Sequence, residues 1–237
     1  MEAIFRREIH SYFKSPVAYC VVGFFAALCG LNFWNVNLAN QSVKFSTTLM
    51  AMVTYLDFFI PILTMRLFAD DKKLGTEVLL RTAPVRTLDV VLGKYFAAVA
   101  VFLLMCAETL VCPIIMSFCV NEDGVFPLEM TVGGYVAFIM LGLAYVAIGT
   151  LASSLADSQP VAALLGIVFI LLITFIETIG EQIGGTIGTV LVWLSLSSRY
   201  NDFASGLFNV ASIFYYLTFT VMILFVTTVN YERKRWN

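Results

Sequence analysis

The sequence predicts an all-α membrane protein with six transmembrane helices in a single domain, residues 1–237. Hydrophobic residues make up 60% of the 237 residues and charged residues only 13%, and the mean hydropathy is +0.89. A soluble chain of this length could bury a core without such long uncharged stretches. A transmembrane β-barrel would show short segments of alternating hydrophobicity, so the predicted class is a helical bundle.

Six segments are long enough to cross a bilayer. The hydrocarbon core is about 30 Å thick and a helix rises about 1.5 Å per residue, so a span needs roughly 20 mostly apolar residues. The predicted spans cover about residues 17–38, 49–68, 94–119, 131–155, 160–179 and 208–229.

The basic residues orient these spans. If the N-terminus is cytoplasmic, all of the 14 Lys and Arg residues except Lys44 and Arg199 lie on the cytoplasmic side. This distribution follows the positive-inside rule, and six spans return the C-terminus to the cytoplasm. Loop 120–130, on the predicted outer side, has three acidic residues and no basic one. We therefore expect a multi-pass protein with both termini in the cytoplasm.

The first 15 residues predict an amphipathic helix in the membrane interface. Apolar and polar side chains separate onto two sides: Ile4, Phe5, Ile9, Tyr12 and Phe13 against Glu2, Arg6, Arg7 and His10. Pro16 turns the chain into the first span. This helix is either a simple anchor or a lever that touches a cytoplasmic partner. Residues 17–38 exceed the apolar region of a signal peptide, about 7–15 residues, so we expect an uncleaved first span.

The loop between the second and third spans is the largest polar segment and predicts a short helix over 75–84. Thr76 can cap this helix, and the carboxylate of Glu77 suits a helix N-terminus. Residues 78–80 are apolar, and Pro84 ends the helix. A rigid, partly apolar helix in the cytosol is suited to docking another protein. The alternative is a loop that lies on the lipid headgroups.

Three acidic residues lie inside or at the edge of the predicted spans: Asp57, Glu108 and Glu177. Asp57 lies about 12 Å from the outer surface and Glu108 about 9 Å, so the two could face each other. Such acids usually face the bundle or a wet cavity because a charge in hydrocarbon is costly. Asp57 and Glu108 are a candidate substrate or proton site. Alternatively, they are protonated and bonded to groups such as Thr54, Tyr55 or Thr109.

Residues 180–206 are too polar and glycine-rich for a seventh span, and they predict a short helical hairpin in the outer leaflet. Gly180, Gly184 and Gly188 form a ladder of small residues at spacing four, which permits close helix approach. Three aromatic residues suit the interface: Trp193, Tyr200 and Phe203. We treat Gly184, Trp193 and Tyr200 as a candidate outer gate. A docking surface for an extracytoplasmic partner and a simple cap on the bundle are the alternatives.

The chain lacks the motifs of a self-contained enzyme or ATPase. No G-x-x-x-x-G-K-[ST] loop is present, so any ATP must be hydrolysed by a separate subunit. The only histidine, His10, lies outside the spans, and an intramembrane enzyme would need a nucleophile with a base, a metal site or a catalytic acid pair. We predict no catalytic, cofactor-binding or metal-binding residue. The five cysteines lie within spans and are predicted as small buried apolar groups: Cys20, Cys29, Cys106, Cys112 and Cys119.

Two segments carry a family resemblance. The cytoplasmic loop contains Arg66, the charged run 70–73, Gly75-Thr76-Glu77-Val-Leu-Leu, Pro84-Val85 and Gly93-Lys94. This pattern resembles the coupling-helix segment of ABC-2 type transporter permeases. The C-terminal part, from Leu194-Ser-Leu-Ser-Ser-Arg199-Tyr200 to Arg233-Lys-Arg235-Trp236, is similar to the gliding-motility-type permeases of that group. One departure is Arg199, where a His is expected before the Tyr.

The resemblance implies the membrane permease subunit of an ATP-driven exporter in the bacterial cytoplasmic (inner) membrane. Two permease copies, identical or related, would pair over ATPase subunits that bind ATP and Mg²⁺, and the chain itself would bind no cofactor. The implied ATPase-coupling residues are Gly75, Thr76, Glu77, Leu79, Leu80, Arg81 and Pro84. An extracytoplasmic auxiliary protein is a further candidate partner; no nucleic acid is expected.

Three other functions stay open at this point. The same architecture could pass mechanical work to an extracytoplasmic partner without releasing a substrate. A membrane scaffold would not need the capped helix over 75–84, and an intramembrane enzyme lacks the expected motifs. Gly142 and Gly149, on one face of the fourth span, suit packing inside the bundle as well as a dimer seam.

Overall fold

The computed structural model describes residues 1–76, 85–119, 127–204 and 209–236. All regular elements in these ranges are helical. They are α1 (Glu2–Lys14), α2 (Pro16–Asn32), a π-helix (Phe33–Leu38), α3 (Phe45–Thr64), α4 (Arg66–Lys73), α5 (Thr87–Thr109), α6 (Val111–Cys119), α7 (Leu128–Leu155), α8 (Gln159–Ile183), α9 (Gly185–Leu194), α10 (Leu196–Ala204) and α11 (Val210–Trp236).

Within the described residues, six helical segments are long and apolar enough to cross a membrane, which confirms the predicted all-α class and number of spans. They are Pro16–Leu38, Phe45–Lys73, Thr87–Phe118, Leu128–Leu155, Gln159–Ile183 and Val210–Arg233. The largest difference in the bounds is in the third span, whose apolar stretch was placed from about residue 94 and which belongs to a helix that begins at Thr87.

The fourth span, α7, is the centre of the bundle and packs against α3, α5, α8 and α11. Its two glycines point into these contacts. A Cβ at Gly142 would lie 2.0 Å from Cζ of Phe102, and one at Gly149 would lie 2.1 Å from Oγ1 of Thr64. Both glycines therefore pack inside the bundle and not at a dimer seam.

The outermost spans leave most of their apolar surface uncovered by this chain. Only 17% of the apolar stretch of α8 and 22% of that of α11 are buried, against 72% of α7. In a membrane protein such surface contacts lipid or another subunit.

The helix of the second span is interrupted between α3 and α4. Pro61 lies near the end of α3, and Met65 separates α3 from α4. The amide of Phe68 donates to Oγ of Ser153 in α7, 3.0 Å away, and the Ser153 hydroxyl donates to the carbonyl of Met65 at 3.0 Å. A serine of the fourth span therefore satisfies backbone groups at the interruption.

One end of the bundle gathers the polar segments. We call it the polar end: α1, α4, the start of α5, the turn from α7 to α8, and the last turns of α11. Phe68 and Tyr231 pack there with ring centroids 5.3 Å apart, and the amide of Asn230 donates to Oγ of Ser154 at 3.3 Å. The predicted cytoplasmic basic residues that the structure describes belong to these segments.

Two short helices follow the fifth span, where a hairpin was predicted. Gly184 and Gly185 have φ values of 62° and 64°, which favour glycine, and they reverse the chain so that α9 folds back on α8. A Cβ at Gly188 would lie 2.4 Å from the carbonyl oxygen of Gly180. The reversal places Gly180 opposite Gly188 across the two helices. The close helix approach that these glycines permit is present.

Candidate functional site

A network of four charged side chains, three of them buried, lies at the polar end. Nζ of Lys94 is 2.5 Å from Oδ2 of Asp71 and 3.0 Å from Oε1 of Glu8. The guanidinium of Arg7 lies 2.6 Å from the Glu8 carboxylate and 3.2 Å from that of Asp71. The network joins α1, α4 and α5, and its two cations balance its two carboxylates.

Lys94 is the centre of this network. It is 1% exposed, its Nζ also donates to the carbonyl of Leu67, and the ammonium lies 5.1 Å from the ring centroid of Phe68. A charge removed from water needs several partners at good geometry, because the attraction of a single ion does not offset the desolvation cost. Asp71, Glu8 and the Leu67 carbonyl provide these partners.

The network joins residues on both sides of segment 75–84, which was predicted to dock an ATPase. Asp71 precedes this segment on α4, and Lys94 follows it on α5. Gly75 ends α4 with φ of 70°, and the hydroxyl of Thr76 donates to Oδ1 of Asp71 at 2.7 Å. The predicted residues Glu77, Leu79, Leu80, Arg81 and Pro84 lie outside the described residues. The role of Thr76 as a helix cap stays a prediction.

Helix α1 packs against the other helices of the polar end. The buried hydroxyl of Tyr12 donates to the carbonyl of Leu63 at 2.8 Å, and burial raises the pKa of Tyr12 above its usual range, which keeps this donor protonated. The guanidinium of Arg66 lies 5.7 Å from the Tyr12 ring centroid. A Cβ at Gly93 in α5 would lie 3.1 Å from the side chain of Ile4. The helix is therefore attached to the second and third spans.

We expect Tyr12→Phe to lower the free energy of unfolding by about 1 kcal/mol, because the buried Leu63 carbonyl loses its side-chain donor. The matched control is Tyr19→Phe, since Tyr19 is 60% exposed and should be neutral. Thermal unfolding of the detergent-solubilised protein checks both variants. Equal midpoints for Tyr12→Phe and the wild type would contradict the assignment.

A second set of contacts ties α4 to the fourth and fifth spans. Nζ of Lys72 donates to the carbonyls of Ser154 (3.2 Å) and Ala156 at the C-terminus of α7, and it lies 3.3 Å from Oδ1 of Asp157. A cation is favourable at a helix C-terminus because it meets the negative end of the helix dipole. The amide of Gln159 donates to Asp70. Helix α4 therefore contacts the fourth and fifth spans, in addition to the third span through Lys94 and the sixth through Tyr231.

The intramembrane acids have separate surroundings. The carboxyl of Asp57 lies beside the hydroxyl of Tyr145 in α7, and its Oδ1 is buried with no hydrogen-bond partner among the described residues. Oε2 of Glu108 is likewise buried and unpartnered there, and no hydrogen bond of the described chain joins these two acids. Tyr145 is therefore a neighbour of Asp57 that the sequence did not indicate, and the expected bonds to Thr54, Tyr55 or Thr109 stay a prediction. A substrate or proton role for either acid stays a prediction.

The third acid, Glu177, supports the turn into α10. Its Oε2 accepts from the hydroxyl of Ser195 at 3.0 Å. The same Ser195 oxygen accepts from the amides of Ser197 and Ser198 at 3.1 and 3.3 Å. Ser195 therefore caps the N-terminus of α10, and Glu177 places an acid at that helix end, where an acid is favourable.

The candidate gate residues do not form one cluster. Tyr200 is buried in the bundle at 2% exposure, whereas Trp193 is 63% exposed and Gly184 lies in the reversal between α8 and α9. The aromatic side chains meet instead around Arg199, whose guanidinium lies 4.9 Å from the Trp193 ring centroid and 4.2 Å from that of Tyr215. Arg199 was not predicted as part of this group. The pattern that could have indicated it is a cationic residue close in sequence to aromatic ones, which often forms cation–π contacts.

The described residues contain no group of three His, Cys, Asp or Glu side chains that could hold a metal ion. Two of the cysteines meet, since Sγ of Cys29 lies 4.0 Å from Sγ of Cys112. Cys29 and Cys106 are buried, whereas Cys20 is exposed.

The sequence comparisons give the family. No curated protein matches the chain significantly. The family model of the ABC-2 type transporter matches residues 1–180, which contain the polar-end network, the first four spans and all but the last three residues of the fifth. Members of this family are membrane components that normally work with an ABC ATPase. The narrower likeness to gliding-motility-type permeases stays a prediction. Six spans and this match, which covers more than half of the sequence, make the chain a multi-pass membrane protein that belongs to the ABC-2 type transporter family.

Proposed function

We propose that this chain is the permease subunit of an ATP-driven exporter in the bacterial cytoplasmic membrane. A separate ATPase binds ATP and Mg²⁺ and docks on segment 75–84, with Glu77, Leu79 and Arg81 at the contact. Both termini and the polar end face the cytoplasm. The family match and the six apolar helices support the coarse function, and the clustering of basic segments at one end supports the orientation.

The observation that carries the coupling role is the ion network on both sides of segment 75–84. Asp71 and Lys94 are 2.5 Å apart, so the chain enters and leaves this segment through one buried contact. Glu8 and Arg7 add α1 to the same contact. A push on the segment therefore reaches α1 and the second and third spans together, because packed, paired side chains transmit displacement.

Two contacts of α4 extend this path to the fourth and fifth spans: Lys72 binds the carbonyl of Ser154, and Asp70 accepts from Gln159. In the proposed cycle, closure of the ATPase moves the segment and α4. The movement of α4 tilts the spans of one permease copy against a second copy, which exposes a cavity between them alternately to the two sides. The second copy is identical or a related chain, and it covers part of the exposed apolar surface of the outer spans.

A second function uses the same parts. The chain could pass the work of the ATPase to an extracytoplasmic protein that docks on α9 and α10, without releasing a substrate. The exposed Trp193 beside Arg199 gives that end a surface of the kind that docks proteins. Purification of partners from native membranes distinguishes the two functions.

We expect a mild-detergent purification of the tagged chain to recover a protein with the G-x-x-x-x-G-K-[ST] motif. Glu77→Arg combined with Leu79→Asp should remove that protein from the sample, because it reverses one charge and places another on the apolar docking face. Mass spectrometry of the purified samples is the measurement.

The matched control makes the same two types of change at the opposite end: Glu129→Arg with Leu128→Asp. Leu128 is 64% exposed at the start of α7, so this variant should fold and keep the ATPase. An extracytoplasmic protein in the wild-type sample would favour the mechanical function. Absence of an ATPase from wild-type samples in several detergents, or its loss from both variants, would contradict docking on segment 75–84.

A further inference from the structure

A basic groove lies between α1 and α4 at the polar end. It has a volume of about 350 Å³ and is lined by Arg7, His10, Ser11, Lys14, Ser15 and Arg66. None of these six residues is acidic. Cations and hydroxyl groups without a carboxylate are the donor set that proteins use for phosphate groups.

The hydrogen-bond donors of the groove are incompletely used. Arg66 pairs through Nε with Asp70 at 3.1 Å. Its Nη2 reaches Oγ of Ser11 only at 3.4 Å, whereas its Nη1 is buried away from the groove. Lys14 is exposed and forms none of the ion pairs found among the described residues. An anion in the groove would therefore pair with Lys14 and with Nη2 of Arg66.

The groove lies where the first span begins. Ser15, in the lining, caps α2 by accepting from the amide of Val17 at 3.3 Å, and Pro16 is the first residue of the span. Next to this position the rings of Phe13 and Tyr19 pack with centroids 6.2 Å apart, although both are exposed, at 46% and 60%. Exposed aromatic rings at the end of a span are typical of the membrane interface.

We propose that this groove binds the phosphate group of an anionic phospholipid in the leaflet on the side of the polar end. Lys14 and Arg66 donate to the phosphate, with the hydroxyls of Ser11 and Ser15 beside them, and the acyl chains leave past Phe13 and Tyr19. The aromatic pair favours a lipid over a free phosphate ion as the source of that group.

The bound headgroup has a mechanical consequence. It holds α1 against Arg66, the first residue of α4, which is the helix that leads into segment 75–84. Anionic lipid would therefore stiffen the connection between α1 and the second span. The binding site itself depends only on the groove and not on the proposed transport function.

Native mass spectrometry of the full chain in a neutral detergent tests the site. The chain is mixed with equal amounts of phosphatidylglycerol and phosphatidylcholine that carry the same acyl chains. We expect the wild type to retain phosphatidylglycerol, and Lys14→Gln to lower the retained amount about fivefold, the effect of one basic residue at an anionic surface.

The matched control is Arg6→Gln. Arg6 belongs to the same helix, its side chain is 83% exposed and pairs with Glu2, and it does not line the groove. It should leave phosphatidylglycerol binding unchanged, and circular dichroism confirms that both variants are folded. Equal losses in the two variants, or equal retention of the two lipids by the wild type, would overturn the proposal. Binding of inorganic phosphate that Lys14→Gln abolishes, without preference for phosphatidylglycerol, would replace the lipid by a soluble phosphate and reject the proposal as stated.

Discussion

Lys94→Met should lower the free energy of unfolding by about 3–5 kcal/mol, the typical cost of breaking a buried ion pair by removing one partner. The variant leaves the carboxylates of Glu8 and Asp71, both 8% exposed, with only the half-exposed guanidinium of Arg7. For a chain of this size the change corresponds to a fall of roughly 6–20 °C in the thermal midpoint. Thermal unfolding in detergent measures it, and the exposed Lys73→Met is the control, with an expected change below about 0.5 kcal/mol.

The double variant Lys94→Met with Asp71→Asn distinguishes the energy of the Lys94–Asp71 ion pair from the cost of leaving one charge buried alone. It removes one charge of each sign and leaves Arg7 and Glu8 paired at 2.6 Å. We expect it to be clearly more stable than the sum of the two single effects predicts, since neither partner remains buried with an unmatched charge. Strict additivity, or a Lys94→Met midpoint equal to that of Lys73→Met, would show that the four groups do not act as one network.

The same double variant distinguishes a structural from a mechanical role of the network. A variant that folds and binds its ATPase, but no longer changes ATP hydrolysis in response to substrate, would have lost the connection between segment 75–84 and the spans. If ATP hydrolysis in that variant still responds to substrate, the movement must pass instead through α4 and the contact of Lys72 with the C-terminus of α7. Stability alone cannot make this distinction, because a restored charge balance stabilises the fold whether or not the contact transmits force.

Apolar run length was enough to predict the six spans, because each must supply about 20 residues to cross the bilayer. The burial of a charged residue could not be predicted in the same way. Lys94 was placed at the start of the third span, where a lysine usually reaches water. In the structure Lys94 is buried because Glu8, 86 positions away in the sequence, reaches it. Partners so distant in sequence leave no local signal.

The neighbours of the intramembrane acids could not be predicted either. Helical rise gives the depth of Asp57 and Glu108 in the bilayer, but depth leaves open which neighbouring helix each residue faces. The neighbour of Asp57 from the fourth span, Tyr145, was not among the side chains expected beside it. Around residue 184 the pattern was ambiguous, because glycines at spacing four suit both a helix face and a chain reversal. The positive φ of Gly184 selects the reversal.

Gly142→Ala should destabilise the bundle by about 3 kcal/mol, at the upper end for overpacking. The added Cβ would lie 2.0 Å from Cζ and 2.5 Å from Cε1 of Phe102, whose ring is fully buried and packs against Phe138 with centroids 6.2 Å apart. The ring has no free space to move into, so α5 and α7 must separate. Gly23→Ala is the control, because a Cβ there has no atom within 4 Å and alanine favours the helix, so it should not destabilise the protein in the same thermal assay.

Phe102→Leu provides the compensating change, since it removes the ring atoms that the new Cβ meets. The double variant Gly142→Ala with Phe102→Leu should be more stable than Gly142→Ala alone, although Phe102→Leu by itself leaves a cavity and destabilises. Rescue by a residue of the same chain places Gly142 inside one bundle. If Gly142→Ala instead altered the dimer and left the unfolding midpoint unchanged, the small residues of α7 would form a seam between two copies. The exposed faces of α8 and α11 would then belong to lipid.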